Sequence, residues 1–250
     1  MRDFGPLGGL KPMAPTQPKS AIPVLYEDNH VLVVVKPVNM PTQEDESGDR
    51  DLLTALKDDL KVRHNKPGNV FLGLVHRLDR PVGGAMVFAK TSKAASRLAD
   101  AVRTRTFGKS YLAVVHGSPK HSAGRLVHHL LKDSRTNTVT AVPAGTAGAK
   151  EAILDYEVIG QADGLTLVKV MLLTGRSHQI RVQFATIGCP LYGDQRYGAG
   201  RNKTGQQIAL WSVLVSFDHP TRAERLSFES SPPADYPWTL WTDRMPTPLK

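Results

Sequence analysis

Apolar and polar residues alternate along this chain in short runs, and the period of each run predicts an element. Val24 to Pro37 reads as two strand-like pieces around Glu27-Asp28-Asn29, with Pro37 ending the second. Asn39 follows, one of the few non-glycine types that tolerates a left-handed backbone. Leu52, Leu53, Leu56 and Leu60 make a helical stripe between Asp49 and Lys61, with Asp49 or Asp51 as cap. Leu74-Val75 and Ala85-Met86-Val87-Phe88 read as short buried strands, and Pro81, Gly83 and Gly84 as the turn between them.

The spacing of Ala95, Leu98, Ala99 and Val102 predicts a second helix from Thr91 to Arg105 behind a Ser92 cap. Lys93, Arg97, Arg103 and Arg105 are left for its outer face, either to keep it soluble or to contact phosphates. Tyr111 to Val115 is a strand broken by Gly117-Ser118-Pro119, and Arg125 to Val142 reads as a hairpin. After a loose connection over Ala144 to Ala149, Ile153–Ile159 and Leu165–Leu173 are paired strands around Asp163-Gly164. Ile180, Phe184 and Ile187 share a helical face between Ser177 and Ile187; His178, Arg181 and Ala185 lie on a neighbouring one, and Gly188 ends the helix. A Gly-rich basic loop (198–207) precedes a final core strand, Ile208 to Phe217, and the stretch past Pro232 fits no element. No repeat or linker divides the chain, so one domain is expected over residues 22–250.

Composition narrows the class. A chain of 250 residues buries about 70–75% of its unfolded surface, enough for a sizeable core. No run approaches the roughly 18 apolar residues of a membrane span. Net charge +9 and a pI near 9.7 favour a polyanionic partner, nucleic acid first, because cationic side chains displace counterions from phosphates. A single cysteine, Cys189, excludes an internal disulfide and a multi-cysteine zinc site, and suits a reducing compartment. Residues 1–21, rich in proline and glycine and without a secretory core, read as a flexible tail. Asp3 and the scarcity of arginine after Arg2 count against an organellar transit peptide; the cytoplasm is the expected compartment, with an organelle as the alternative.

The candidate chemistry sits between the two short strands, where His76, Arg77, Asp79 and Arg80 form a charged knot. An aspartate that is to act as a nucleophile or electrostatic catalyst must stay ionised while losing water, and a guanidinium favours that form. Arg77 or Arg80 could supply it, or a cation from elsewhere in the chain; the plain alternative is a surface ion pair. Other constellations fail on spacing. Gly108-Lys109-Ser110 lacks the earlier glycine of a phosphate loop, since position 103 is arginine. Ser177 and His178 are helix neighbours that do not face each other, and His116, His121, His128 and His129 lack metal spacing. A glycosidase wants two cooperating carboxylates, and Asp194 is far from Asp79 in sequence and reads as a loop anchor.

Val75-His76-Arg77-Leu78-Asp79, followed by Gly84 and a strand ending in Ala89-Lys90-Thr91, closely resembles the catalytic motif of RluA-type pseudouridine synthases. Val33-Val34-Val35-Lys36-Pro37 resembles the family's early strand and Lys-Pro turn, and Lys109 to Val115 its tyrosine-bearing strand. Leu173 to Val182, then Gly188 to Asp194, resembles its third motif, and the likeness runs from about residue 22 to 229. The departures are Asn39 for a usual glycine, Val82-Gly83 for Thr-Ser, Trp211-Ser212 for His-Ala and Gln183 for a frequent histidine.

The resemblance implies an α+β catalytic domain, a mixed, mostly antiparallel sheet with flanking helices. It implies isomerisation of uridines in ribosomal or transfer RNA to pseudouridine with neither cofactor nor metal. Asp79 matches the catalytic aspartate, Arg181 the arginine paired with it, and Tyr111 the tyrosine that packs on the base. His76, Arg77, Arg80, Arg176, His178 and Leu210 are the expected substrate contacts, Leu210 otherwise being plain core. A monomer without an obligatory protein partner or membrane attachment is expected. A scaffold of this family that binds RNA without turnover is the alternative.

Overall fold

The computed structural model describes residues 22–245; the expected tail over residues 1–21 lies outside them. In chain order the elements are β1 (Val24–Glu27), β2 (Val31–Lys36), α1 (Leu52–Arg63), β3 (Gly73–Leu74), β4 (Gly83–Ala89), α2 (Ser92–Arg103) and β5 (Gly108–His116). There follow β6 (Ala123–Asp133), β7 (Thr138–Val142), β8 (Lys150–Ala162), β9 (Leu165–Leu172), α3 (Gln179–Thr186), β10 (Leu210–Asp218), β11 (Arg225–Glu229) and a 3-10 helix over Trp238–Arg244. The strands form one 11-stranded sheet in the order β1-β2-β4-β10-β5-β9-β8-β6-β7, with β11 on β10 and β3 on β4. All of its pairings are antiparallel except β4 with β10, so the expected mixed, mostly antiparallel sheet is what the chain builds.

Alternation along the central strands decides where each helix packs. Leu32, Val34, Met86 and Phe88 point to the face covered by Leu52, Leu56 and Leu60 of α1. Val31, Val33, Ala85, Val87 and Ala89 point to the other, covered by Ala94 and Leu98 of α2. Farther along the first face, Ile180 and Phe184 of α3 close over Tyr111, Ala113, Val168 and Val170, so the helix carrying Arg181 lies on the tyrosine strand. The 3-10 helix seals the opposite face with Trp238 and Trp241.

Several local expectations change. Thr91, not Ser92, caps α2: its extended backbone lets Oγ1 accept from the Ala94 N–H. Ala99 is exposed and Ala94 takes its place in the stripe. Asp51 caps α1 by accepting from the Thr54 N–H, which leaves Asp49 for an ion pair with Arg80. Gly83 and Gly84 do not make the turn; they are the first residues of β4, where β10 approaches too closely for a side chain. A Cβ on Gly84 would lie 2.3 Å from the Ser212 carbonyl oxygen, and its φ of +116° is one that other residues rarely adopt.

Gly84→Ala is therefore expected to cost at least ~2 kcal/mol in urea unfolding. Gly188→Ala, at φ +79° with open space around it, should cost only about 1 kcal/mol. Equal losses would show that the β4–β10 approach is not the constraint.

Candidate active site

The loop from Val75 to Val82, between β3 and β4, has almost no regular hydrogen bonding of its own and is held from outside through its carbonyls. Thr42 Oγ1 donates to Leu78 O (2.8 Å), Gln207 Nε2 to Pro81 O (2.6 Å), and Lys36 Nζ to Arg80 O (3.0 Å) and Val82 O (2.7 Å). The Asp79 carbonyl accepts from the Val82 N–H within the loop. Lys36, whose third bond goes to Pro37 O (2.9 Å), is fully buried. Burial pushes its pKa down to about 7 against the pull of the Asp79 charge, yet three bonds to three carbonyls are the pattern of a protonated amine.

Asp79 is aimed by a cation 102 positions away in sequence: Arg181 Nη1 donates to Asp79 Oδ2 at 3.1 Å. The other edge of the same guanidinium, Nε and Nη2, forks onto both oxygens of Asp194 at 2.8 and 2.9 Å. The Asp194 side chain is 0% exposed and that of Asp79 27%, so one carboxylate anchors the arginine and the other faces outward. Burial would raise the pKa of Asp194, but Arg181 and the backbone N–H groups of Tyr197 and Arg196 hold it below the usual carboxylate range. Burial also works against the charge on Arg181, and the two acids together push its pKa up. Arg181 stays charged.

The Asp79 carboxylate opens into a cleft of about 1250 Å³. Besides Arg181, cations line it from several elements: Arg77 and Arg80 on the loop, Arg103 at the end of α2 and Arg105 just after it, Lys109 on β5, Lys132 on β6 and Arg176 before α3. Its acids are Glu44, Asp45 and Asp79, so the surface favours a polyanion. Tyr111 and Leu210, from neighbouring strands β5 and β10, line the same cleft. Burial first, then the Asp79 charge, push the Tyr111 phenol up. It remains neutral.

The structure thus brings Asp79, Arg181 and Tyr111 together, but the remaining expected residues differ in how they stand. His76 is nearly buried: its Nε2 accepts from the Val87 N–H (3.1 Å) and burial holds its pKa down at about 3, which makes it a neutral brace on β4. Arg77 is exposed at the cleft. Arg80 does not hold Asp79; it reaches Asp49 and Ser47, tying down the segment before α1. Arg176 donates to Glu151 O (2.8 Å) at the cleft edge.

His178 is not on a helix face. It precedes α3 with φ +53°, because Gln179 Oε1 takes the Arg176 N–H and the Thr174 hydroxyl and folds the chain into a tight turn. Its Nε2 lies 4.0 Å from Asp79 Oδ2.

Lys36, Thr42, Gln207 and Asp194 were missed as site residues. A lysine directly after the apolar run Val31–Val35 was one available signal for Lys36, since such a charge needs buried partners.

Residues 30–186 match the family model described as RNA pseudouridylate synthase. The chain is 34% identical over 234 residues to ribosomal large subunit pseudouridine synthase D of Pseudomonas aeruginosa, covering 87% of this chain and 70% of that protein. It is 33% identical over 215 residues to the RNA pseudouridine synthase YlyB of Bacillus subtilis, covering 85% and 69%. Among solved structures, human RNA pseudouridylate synthase domain containing 4 superposes with a TM-score of 0.74 at 23% identity, covering 91% of this chain and 95% of the other. Human RNA pseudouridylate synthase domain containing 1 gives 0.69 at 25%, covering 95% and 94%.

Asp194→Asn should destabilise the fold by about 3 kcal/mol at pH 7, since a buried cation loses its anchor. Asp194 is depressed in the folded state, so its contribution is present above the unfolded value of 3.8 and is lost as the pH falls through the folded one. Urea unfolding should show the gap between wild type and variant narrowing below about pH 4. A gap unchanged from pH 7 to pH 3 would show that ionised Asp194 is not the anchor.

Proposed function

The chain belongs to the RNA pseudouridylate synthase family and is an RNA-modifying isomerase, and from that premise we propose that Asp79 is the carboxylate with which it converts uridines of ribosomal or transfer RNA to pseudouridine. The observation that carries this reading is the single guanidinium shared between a sealed acid, Asp194, and an acid facing the cleft, Asp79.

The reaction is an isomerisation. The bond from the base nitrogen to the ribose breaks, the base turns, a ring carbon bonds to the ribose, and the proton on that carbon is replaced by one on nitrogen. A fixed, ionised carboxylate serves it either at the sugar or at the base. Arg181 holds Asp79 Oδ2 by a hydrogen bond and so fixes which oxygen is free. Tyr111 offers the base a flat face, and stacking of this kind is worth about 1–3 kcal/mol per base. Leu210 supplies an apolar wall beside it. The uridine must first leave any stack, at a few kcal/mol, and the exposed Arg77 at the cleft is placed to fill the position it vacates.

The Arg103, Arg105, Lys109, Lys132 and Arg176 side chains meet the flanking phosphates, which makes binding salt-dependent. His76 contributes through β4, Arg80 through the segment before α1, and His178 from 4.0 Å beside the carboxylate. The reading takes residues 22–250 as one catalytic domain, acting as a monomer in the cytoplasm. No described helix is long and apolar enough to cross a membrane.

Mapping pseudouridine in ribosomal and transfer RNA from cells with and without the protein should reveal sites that vanish in its absence. Asp79→Asn should lower turnover at those sites by at least about 10³-fold while leaving unfolding and RNA affinity within about twofold. An active Asp79→Asn enzyme would remove Asp79 from the chemistry, and unchanged RNA maps would favour a protein that only binds.

A further inference from the structure

Tyr197 belongs to no motif quoted above and does not line the cleft, yet three parts of the site converge on it. Its backbone N–H donates to Asp194 Oδ1 (3.1 Å), the carboxylate that holds Arg181. The Arg181 guanidinium carbon sits 5.1 Å from the centre of its ring. Its hydroxyl oxygen accepts the Val139 N–H of β7 (3.0 Å) and lies 2.7 Å from His178 Nδ1.

These two contacts at one phenol decide where a proton lies. With Val139 donating to the oxygen, the phenol hydrogen has one acceptor in reach among the described residues, His178 Nδ1. The reverse arrangement would direct two donors at the oxygen and leave the phenol hydrogen without a partner in a half-buried setting, at a cost of about 1–3 kcal/mol. We propose that Tyr197 fixes the tautomer of His178, donating to Nδ1 so that the neutral imidazole presents its Nε2–H toward Asp79 and the cleft.

The charge state agrees with this. Burial comes first and Arg181, Arg196 and Lys132 follow in lowering the pKa of His178, with Asp79 opposing them. Burial likewise pushes the Tyr197 phenol up, so it keeps its hydrogen. With Nδ1 occupied and Nε2 protonated, His178 is a donor that faces the cleft 4.0 Å from the carboxylate, in position to meet a uracil carbonyl, and it is not a base. Tyr197 is then a positioning residue acting through His178, in the way outer partners set histidine tautomers elsewhere.

The geometry stands without any assumption about turnover; its catalytic consequence rests on Asp79 being the reacting carboxylate. In ¹⁵N-labelled protein at pH 7.5, the ring nitrogens of His178, assigned by their loss in His178→Gln, should show an unprotonated Nδ1 and a protonated Nε2. In Tyr197→Phe, which keeps the ring under Arg181, that preference should be lost and kcat should fall about tenfold with KM within about twofold. In a His178→Gln background, whose amide can donate from about the Nε2 position without Tyr197, adding Tyr197→Phe should lower kcat no further. A protonated Nδ1 in the wild type, or a tautomer and kcat unchanged in Tyr197→Phe, overturns the inference. Because the nitrogen signals are read without turnover, that failure is distinct from the failure of Asp79 as catalyst.

Discussion

One arginine cannot be moved without undoing the site. Arg181 is charged, nearly buried, and spends three of its N–H bonds on two acids that otherwise share nothing in the chain. The pair with Asp194 alone would be an ordinary buried ion bridge, weak evidence for anything but good geometry. What changes its meaning is the remaining N–H, directed at a carboxylate that keeps contact with solvent. The buried acid fixes the guanidinium, and the guanidinium fixes the orientation and the free oxygen of the exposed acid. Sealing α3 over β5 and β9 is what brings these groups together, so the hydrophobic face of Ile180 and Phe184 is as much a part of the site as the charges are.

The second arm of the construction is backbone. A loop without a strand partner would be mobile on physical grounds, but the carbonyls from Leu78 to Val82 all have donors, four of them reached by side chains from outside the loop. Lys36 makes two of those bonds from the end of β2, and the close approach of Gly84 to Ser212 sets the start of the strand that follows. Asp79 is carried on a segment whose both ends are fixed by the sheet and whose middle is fixed by side chains.

Much of this was legible. Period-two and helical spacing located α1, α2, the β6–β7 hairpin and the Asp163-Gly164 turn, because those signals are local. Asn39 does take a left-handed backbone, at φ +62°. Pairings at long range were not legible: nothing local joins Asp79 to Arg181, and only the resemblance to a family suggested it. Asp194 was read as a loop anchor, and it is one, but what it anchors is Arg181. Gly83 and Gly84 misled because glycine marks both turns and close backbone contact. β11 was missed because Arg225–Glu229, although it alternates strictly, is only five residues long with two half-buried apolar positions, Leu226 and Phe228, too short a run for its period to stand out. His178 left the helix phase because Gln179 satisfied the preceding turn, a side-chain competition that periodicity does not see.

The pinned loop also settles who must bend. The loop that carries the carboxylate is held at both ends by the sheet and along its middle by Thr42, Lys36 and Gln207, which limits how far it can travel. With Asp79 as the reacting carboxylate, as proposed, reshaping on encounter would fall to the RNA, whose uridine would have to swing out to reach the acid. On that proposal, selection among chemically identical uridines would follow the ease with which each local strand deforms, so that the polymer's own stiffness would serve as the address.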